Sequence, residues 1–245
     1  MMNSDNPLAA IRGLLFDKDG TLLRYDESWG PVNRQAAKLA ADGAGEAMEN
    51  RLLIACGMDP VTGLTRADSL FAAGTAAQIA AGFVAAGSPL AVGPLTVALD
   101  ELFVRASDFS VAVTDLAGFF ARLRARGFRL GVASSDNERS IRETARRFGF
   151  LDHLDFIAGY DSGHGCKPEP GMVLGFCKSV GLQPFEVAMV GDNNHDLHMG
   201  AAAGAGLKVA VLTGTGSPET LAGAADHVLD DITGLETLLP QGEPA

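Results

Sequence analysis

The stretch Leu14-Leu-Phe-Asp-Lys-Asp-Gly-Thr-Leu22 decides how this chain is read: a strand-like apolar run meets two aspartates one residue apart. Carboxylates seldom crowd a strand end without a charge to bind or chemistry to perform. At the carboxyl end of a parallel strand, Asp17 is placed to attack an electrophile and Asp19 to trade protons. Gly20 lets the chain turn away from the site, and Thr21 offers a hydroxyl to steady the loop. Two neighbouring carboxylates repel, so one holds a proton or a cation sits between them. The same residues also fit a strand followed by an ordinary Asp-Gly turn. The meaning of the motif therefore depends on its distant partners.

Working outward, apolar runs of strand length recur only well downstream: Phe128–Ser135, Phe156–Tyr160, Val187–Gly191 and Lys208–Leu212, with a short edge strand at His227–Leu229. Their near-continuous apolar character predicts strands buried on both faces, as in a parallel sheet. Helical stretches alternate with them. Asp115–Arg126 puts Leu116, Phe119, Phe120 and Leu123 on one face and stops at Gly127. Asp136–Phe148 ends at Gly149, Gly171–Val180 ends at Gly181, and Ser217-Pro218-Glu219 is a helix start with proline at its first position. This alternation implies an α/β fold with a doubly wound, mostly parallel sheet.

Between residues 26 and 108 the alternation fails, and Ala-rich helices are broken by Gly and Pro. The expected organisation is a core of residues 1–25 and 109–245 carrying an inserted helical domain at 26–108. The Gly-Glu-Pro-Ala tail reads as a frayed end.

The chain has 245 residues, 47% of them hydrophobic, with a formal net charge of -11. That balance argues against a general nucleic-acid binder, because phosphate backbones demand a basic surface. It leaves room for a small anion held by a local lysine, a metal and backbone amides. Cys56, Cys166 and Cys177 form no metal-ligand spacing, which fits small buried residues in a reducing compartment. The first residues lack a basic start and an apolar stretch, so a cytoplasmic protein is expected. Phe71–Leu99 carries no charge, yet it is built of Ala and Gly and broken by Pro89 and Pro94, unlike a membrane span.

Four signals fall at strand ends, where open α/β sheets place ligands. They are Asp17-Lys-Asp-Gly-Thr21, Ser134-Ser135, Lys167 ahead of a helix, and Gly191-Asp-Asn-Asn-His-Asp196. Each alone has a plain structural reading: helix-capping serines, a solvated loop lysine, capping aspartates. Together and in this order they resemble the haloacid dehalogenase superfamily of phosphotransferases. An insert between the first two signals is similar to that superfamily's helical cap. Lys167-Pro-Glu-Pro170, Gly191-Asp192 to Asp196, Ala203-Gly204 and Leu212-Thr-Gly-Thr-Gly216 further resemble the phosphoglycolate phosphatase-like group.

The resemblance implies a phosphatase acting on a small-molecule phosphomonoester, with 2-phosphoglycolate as a lead. Asp17 would form an aspartyl phosphate, and Asp19 would protonate the leaving alcohol and later activate water. Mg2+ would be held by Asp17, the Asp19 main-chain carbonyl and Asp192, with Asp196 binding directly or through water. Ser134 and Ser135 would hold phosphate oxygens, and Lys167 would offset charge on nucleophile and phosphate. Just after the first motif, Trp29, Asn33 and Arg34 are candidates to touch the substrate. His195 and His198 read as peripheral, since a hard Mg2+ site does not favour imidazole.

Asp-Lys-x-Gly-Thr also resembles the phosphorylation motif of P-type ion pumps, which carry Thr in place of Asp19 and need several membrane spans. Dehalogenases and phosphonatases lack an acid at the Asp19 position. A phosphonatase also needs a cap lysine, and the only one in the insert is Lys38. A sugar phosphomutase of the same superfamily, or an idle phosphate-binding protein, remains as an alternative.

Overall fold

Gly13–Phe16 forms β1, every residue of it buried, at the centre of a six-stranded sheet. The other strands are β2 (Arg129–Ala133), β3 (Phe156–Ala158), β4 (Val187–Gly191), β5 (Leu207–Val211) and β6 (His227–Leu229). Their order across the sheet is β3-β2-β1-β4-β5-β6, and every pairing is parallel. The structure is a computed structural model and describes residues 7–240. The opening six residues and the Gly-Glu-Pro-Ala tail read above lie outside the described residues.

Side-chain alternation along β1 explains why the sheet is covered on both faces. Leu14 and Phe16 enter one cluster with Phe119, Phe120, Phe150 and Ile141. Leu15 enters the other, with Met172, Phe176 and Met189. On the first face Phe120 packs against Phe16 with ring centroids 5.3 Å apart and stacks on Phe150 at 4.6 Å.

The inserted helices are α1 (Tyr25–Ala41), α2 (Glu46–Cys56), α3 (Leu70–Ala73), α4 (Ala76–Ala85) and α5 (Val92–Ala106). They bury a cluster of their own, running from Tyr25 and Trp29 to Leu102 and Phe103. In α1 the buried set Trp29, Val32, Ala36, Ala37 and Ala40 follows helical spacing. The chain leaves and re-enters the sheet domain side by side: Arg24 N donates to Val111 O at 2.9 Å and Val113 N to Leu22 O at 3.0 Å. The uncharged Phe71–Leu99 stretch is divided among α3, α4 and α5, and no helix among the described residues is long and apolar enough to cross a membrane.

The remaining helices flank the sheet: α6 (Leu116–Ala125), α7 (Glu138–Arg147), α8 (Gly171–Val180), α9 (Asn194–Ala203), α10 (Pro218–Leu221) and α11 (Leu235–Leu238). The expected parallel, doubly wound architecture is present, and β4, β6 and α8 begin and end where expected. Several other boundaries shift by one or two residues, and two of the shifts have a clear local reason. The second strand ends at Ala133 because the Ser134 hydroxyl accepts from Asp136 N at 3.1 Å and bends the chain. The helix expected from Asp136 starts at Glu138, because Asn137 caps it by accepting from Ser140 N at 2.8 Å. That shift frees the Asp136 carboxylate for another partner.

Candidate active site

Three strands end on one rim of the sheet, and the next residues in the chain supply the site. Asp17 follows β1, Ser134 follows β2 and Asp192 follows β4. Register makes them neighbours, since Phe16 pairs with both Val132 and Val190. Asp17 N donates to Val190 O at 2.8 Å and continues the ladder one step beyond the strand.

Lys167 reaches this rim from the segment ahead of α8. Its side chain is fully buried, and Nζ donates to Asp17 Oδ1 at 2.5 Å and to Asp196 Oδ1 at 2.7 Å. Carboxylate oxygens of Asp17, Asp192 and Asp196 all fall within 4.8 Å of one another. Asp17 Oδ2 is buried without a hydrogen-bond partner. Asp192 has no lysine of its own; Thr215 N donates to its Oδ2 at 2.9 Å. A hard divalent cation suits this donor set, because the clustered donors are carboxylate oxygens alone. The residues present therefore fit Mg2+.

Lys18 forms the second half of the site. Its side chain is buried, and Nζ lies 2.8 Å from Asp19 Oδ2 and 3.1 Å from Asp136 Oδ2. Asp136 also accepts from the Ser140 hydroxyl at 2.7 Å. Trp29 of α1 donates its indole N–H to Asp19 Oδ1 at 2.6 Å. The Asp19 carboxylate is thus gripped from the sheet side by a lysine and from the helical side by an indole.

Burial dominates the protonation chemistry. It pushes Asp19 up to about 6, against the pull of Lys18 and with help from Asp136 and Asp17. Burial likewise raises Asp17, Asp192 and Asp196, with Lys167 opposing the rise at each. Asp192 is raised well above its ordinary value, as befits the acid with no directly paired lysine. For the two lysines burial works to discharge the ammonium, but the flanking carboxylates outweigh it and hold both pKa values above the usual lysine range. Both lysines are charged.

Of the residues singled out from sequence, the structure brings Asp17, Asp19, Asp192, Asp196, Lys167, Ser134 and Ser135 to this rim, and Trp29 closes over them. The remaining cavity is about 40 Å³, room for only a few waters. Asn33 is buried in α1 beside the Tyr25 hydroxyl and is not among the cavity-lining residues. Arg34 points elsewhere: it is exposed, donates to Pro60 O at 3.0 Å and borders a separate hollow with Met58 and Leu64. His198 is exposed, but His195 lines the cavity, 3.5 Å from Asp196 Oδ1. Asp136 and the buried role of Lys18 were not foreseen. A lysine inside an otherwise buried motif was the available signal, since such a charge demands a carboxylate nearby.

Comparison with known proteins agrees with the fold. A profile described as haloacid dehalogenase-like hydrolase matches residues 11–204. A phosphoglycolate phosphatase from Rhodospirillum rubrum is 29% identical over 248 aligned positions, covering 95% of this chain and 92% of that protein. Another, from Chromobacterium violaceum, is 32% identical over 120 positions, covering 49% of this chain and 53% of that protein. The crystal structure of CbbY from Rhodobacter sphaeroides in complex with phosphate superposes with a TM-score of 0.68 at 22% identity, over 92% of this chain and 96% of that one.

Replacing Lys18 by alanine leaves Asp19 and Asp136 buried against each other with no counter-charge. The expected loss is about 3–5 kcal/mol of folding stability at neutral pH, read from urea unfolding of Lys18→Ala against the parent. A loss below about 1 kcal/mol, the ordinary value of an exposed ion pair, would contradict the buried pairing.

Proposed function

Because the chain belongs to the haloacid dehalogenase-like hydrolase family, we propose that it is a Mg2+-dependent phosphomonoesterase working through an aspartyl phosphate on Asp17. The observation that carries the reading is Asp17 itself, buried at the end of β1 with Oδ1 on Lys167 and Oδ2 without a partner. A buried, oriented carboxylate with a free oxygen is what in-line attack on phosphorus requires.

In the first half-reaction the Asp17 carboxylate forms a bond to phosphorus as the ester oxygen leaves, and Asp19 delivers its proton to that oxygen. In the second, Asp19 takes a proton from water, the water oxygen attacks phosphorus, and Asp17 is released with inorganic phosphate. Lys167 holds the nucleophile in place and spreads positive charge toward the phosphoryl oxygens. Ser134 and Ser135 line the same cavity and supply hydrogen-bonding groups to the phosphate. Lys18 and Trp29 fix the orientation of Asp19. Mg2+, bound by Asp17, Asp192 and the Asp19 main-chain carbonyl with Asp196 beside it, would neutralise charge on the phosphoryl group.

The inserted helices, taken as a cap over residues 26–108, must part to admit substrate, since about 40 Å³ holds no phosphate ester. Their contacts with the sheet domain are polar and suited to opening. Asp100 of α5 accepts from Asn137 Nδ2 at 3.0 Å and from the Tyr160 hydroxyl at 2.8 Å, and Arg139 pairs with Glu101 at 2.8 Å. The relatives' name makes 2-phosphoglycolate a substrate to include in any panel.

The test is phosphate release from a panel of phosphomonoesters, with and without Mg2+, beside Asp17→Asn. Release that needs Mg2+ and disappears in the variant is expected; release that survives Asp17→Asn would remove the nucleophile from the account. A pH profile follows from Asp19, whose pKa lies at about 6. Only its protonated form donates, so kcat/KM for an alkyl ester falls as pH rises through about 6. For p-nitrophenyl phosphate, whose phenolate leaves unaided, that limb is absent. Identical profiles for both esters would contradict Asp19 as the acid.

A further inference from the structure

The cavity has two unlike walls. The sheet side presents Asp17, Asp19, Asp136 and Asp192 with Ser134 and Ser135, while the helical side presents Tyr25, Trp29, Phe71, Ala76, Ile79 and Phe103. Once the helices have parted to admit it, a phosphomonoester bound with phosphorus at Asp17 still turns its alcohol toward that second wall. We infer, on the footing of the phosphomonoesterase reading, that the esters this site selects carry an uncharged, apolar alcohol.

Two polar groups on the helical wall are already committed. The Tyr25 hydroxyl donates to Phe71 O at 2.7 Å, and the Trp29 indole donates to Asp19 Oδ1 at 2.6 Å. No lysine or arginine lines the cavity among the described residues. Behind its walls, Lys18 and Lys167 are each shared between two carboxylates. The insert's own cations face other ways: Arg34, Arg66 and Arg105 border separate hollows, and Lys38 and Arg51 are exposed. His195 sits at the sheet side with Nε2 3.5 Å from Asp196. At the start of α4, the Thr75 and Gln78 amides are taken by their reciprocal cap.

A second carboxylate on the substrate would therefore enter a wall with no counter-charge, facing Asp19 and Asp136 across a narrow gap. Burying it unpaired is unfavourable, and so is burying the several hydroxyls of a sugar phosphate without partners. A short hydrocarbon loses nothing there and gains contact with Phe71, Ile79 and Phe103. The same lining thus disfavours both 2-phosphoglycolate and sugar phosphates as preferred substrates.

The test compares two stable phosphonates of matched length, propylphosphonate and 3-phosphonopropionate, binding to the full chain in Mg2+. Trp29, the only tryptophan in the chain, lines the cavity and reports both by fluorescence. Propylphosphonate is expected to bind about tenfold more tightly or better, the factor an unpaired buried carboxylate forfeits. Ala72, partly exposed on the cavity wall, provides the converse. Ala72→Lys places an ammonium there and should shift the ratio about tenfold toward the carboxylated ligand. Equal or tighter binding of 3-phosphonopropionate by the parent protein would overturn the inference, as would binding of neither ligand. Turnover of propyl phosphate and 2-phosphoglycolate is measured alongside. Failure to release phosphate from either ester strikes the phosphatase reading and leaves the binding ratio to judge the substrate class.

Discussion

Four carboxylates sharing two ammonium groups, with a fifth left over, set the terms for the rest of this site. Asp17 and Asp196 share Lys167, Asp19 and Asp136 share Lys18, and Asp192 is left with a backbone amide. In a desolvated setting that surplus of negative charge raises the proton affinity of the acids. Two things relieve it: a divalent cation among Asp17, Asp192 and Asp196, and a proton on Asp19. Both are ingredients of the proposed reaction. The same imbalance that makes the cluster costly without a counter-charge thus suits it to metal and to acid-base work.

The fold exists around this cluster in a literal sense. Parallel strands bring three chain segments to one rim, and small residues let the acids approach. Gly20, at φ 90°, leaves space that a Cβ would fill 2.5 Å from Asp192 Oδ2, and a Cβ on Gly214 would lie 1.8 Å from the same atom. Above the rim, the helices close with an apolar face toward the cavity and polar contacts toward the sheet domain. This division suits a closure that narrows the cavity and can be reversed.

Much of this was legible in the chain because strand ends leave a clear mark: an apolar run followed at once by acids or serines. β1 and β4 show it, so the sequence alone sets Asp17 and Asp192 at neighbouring strand ends. Lys167 was findable by its order among the motifs rather than by local pattern. Other features leave no such mark. Asp136 looked like the first residue of a helix, and only the cap at Asn137 and the turn at Ser134 release it toward Lys18. Arg34 follows the first motif closely, but the rotational phase of an Ala-rich helix decides which side it faces. His195 read as peripheral on the ground that a hard Mg2+ site does not favour imidazole, yet the start of α9 turns it toward the cavity.

The central claim is that the acid cluster is completed by a divalent cation, and thermal unfolding with and without Mg2+ tests it most directly, using the parent chain and Asp192→Asn. Mg2+ at about a hundredfold excess over its Kd should raise the parent's Tm by roughly 5–10 °C. Asp192→Asn, with one buried charge fewer, should unfold no earlier than the parent without metal and should gain nothing from Mg2+. A parent whose Tm ignores Mg2+, together with a variant less stable than the parent, would contradict the account.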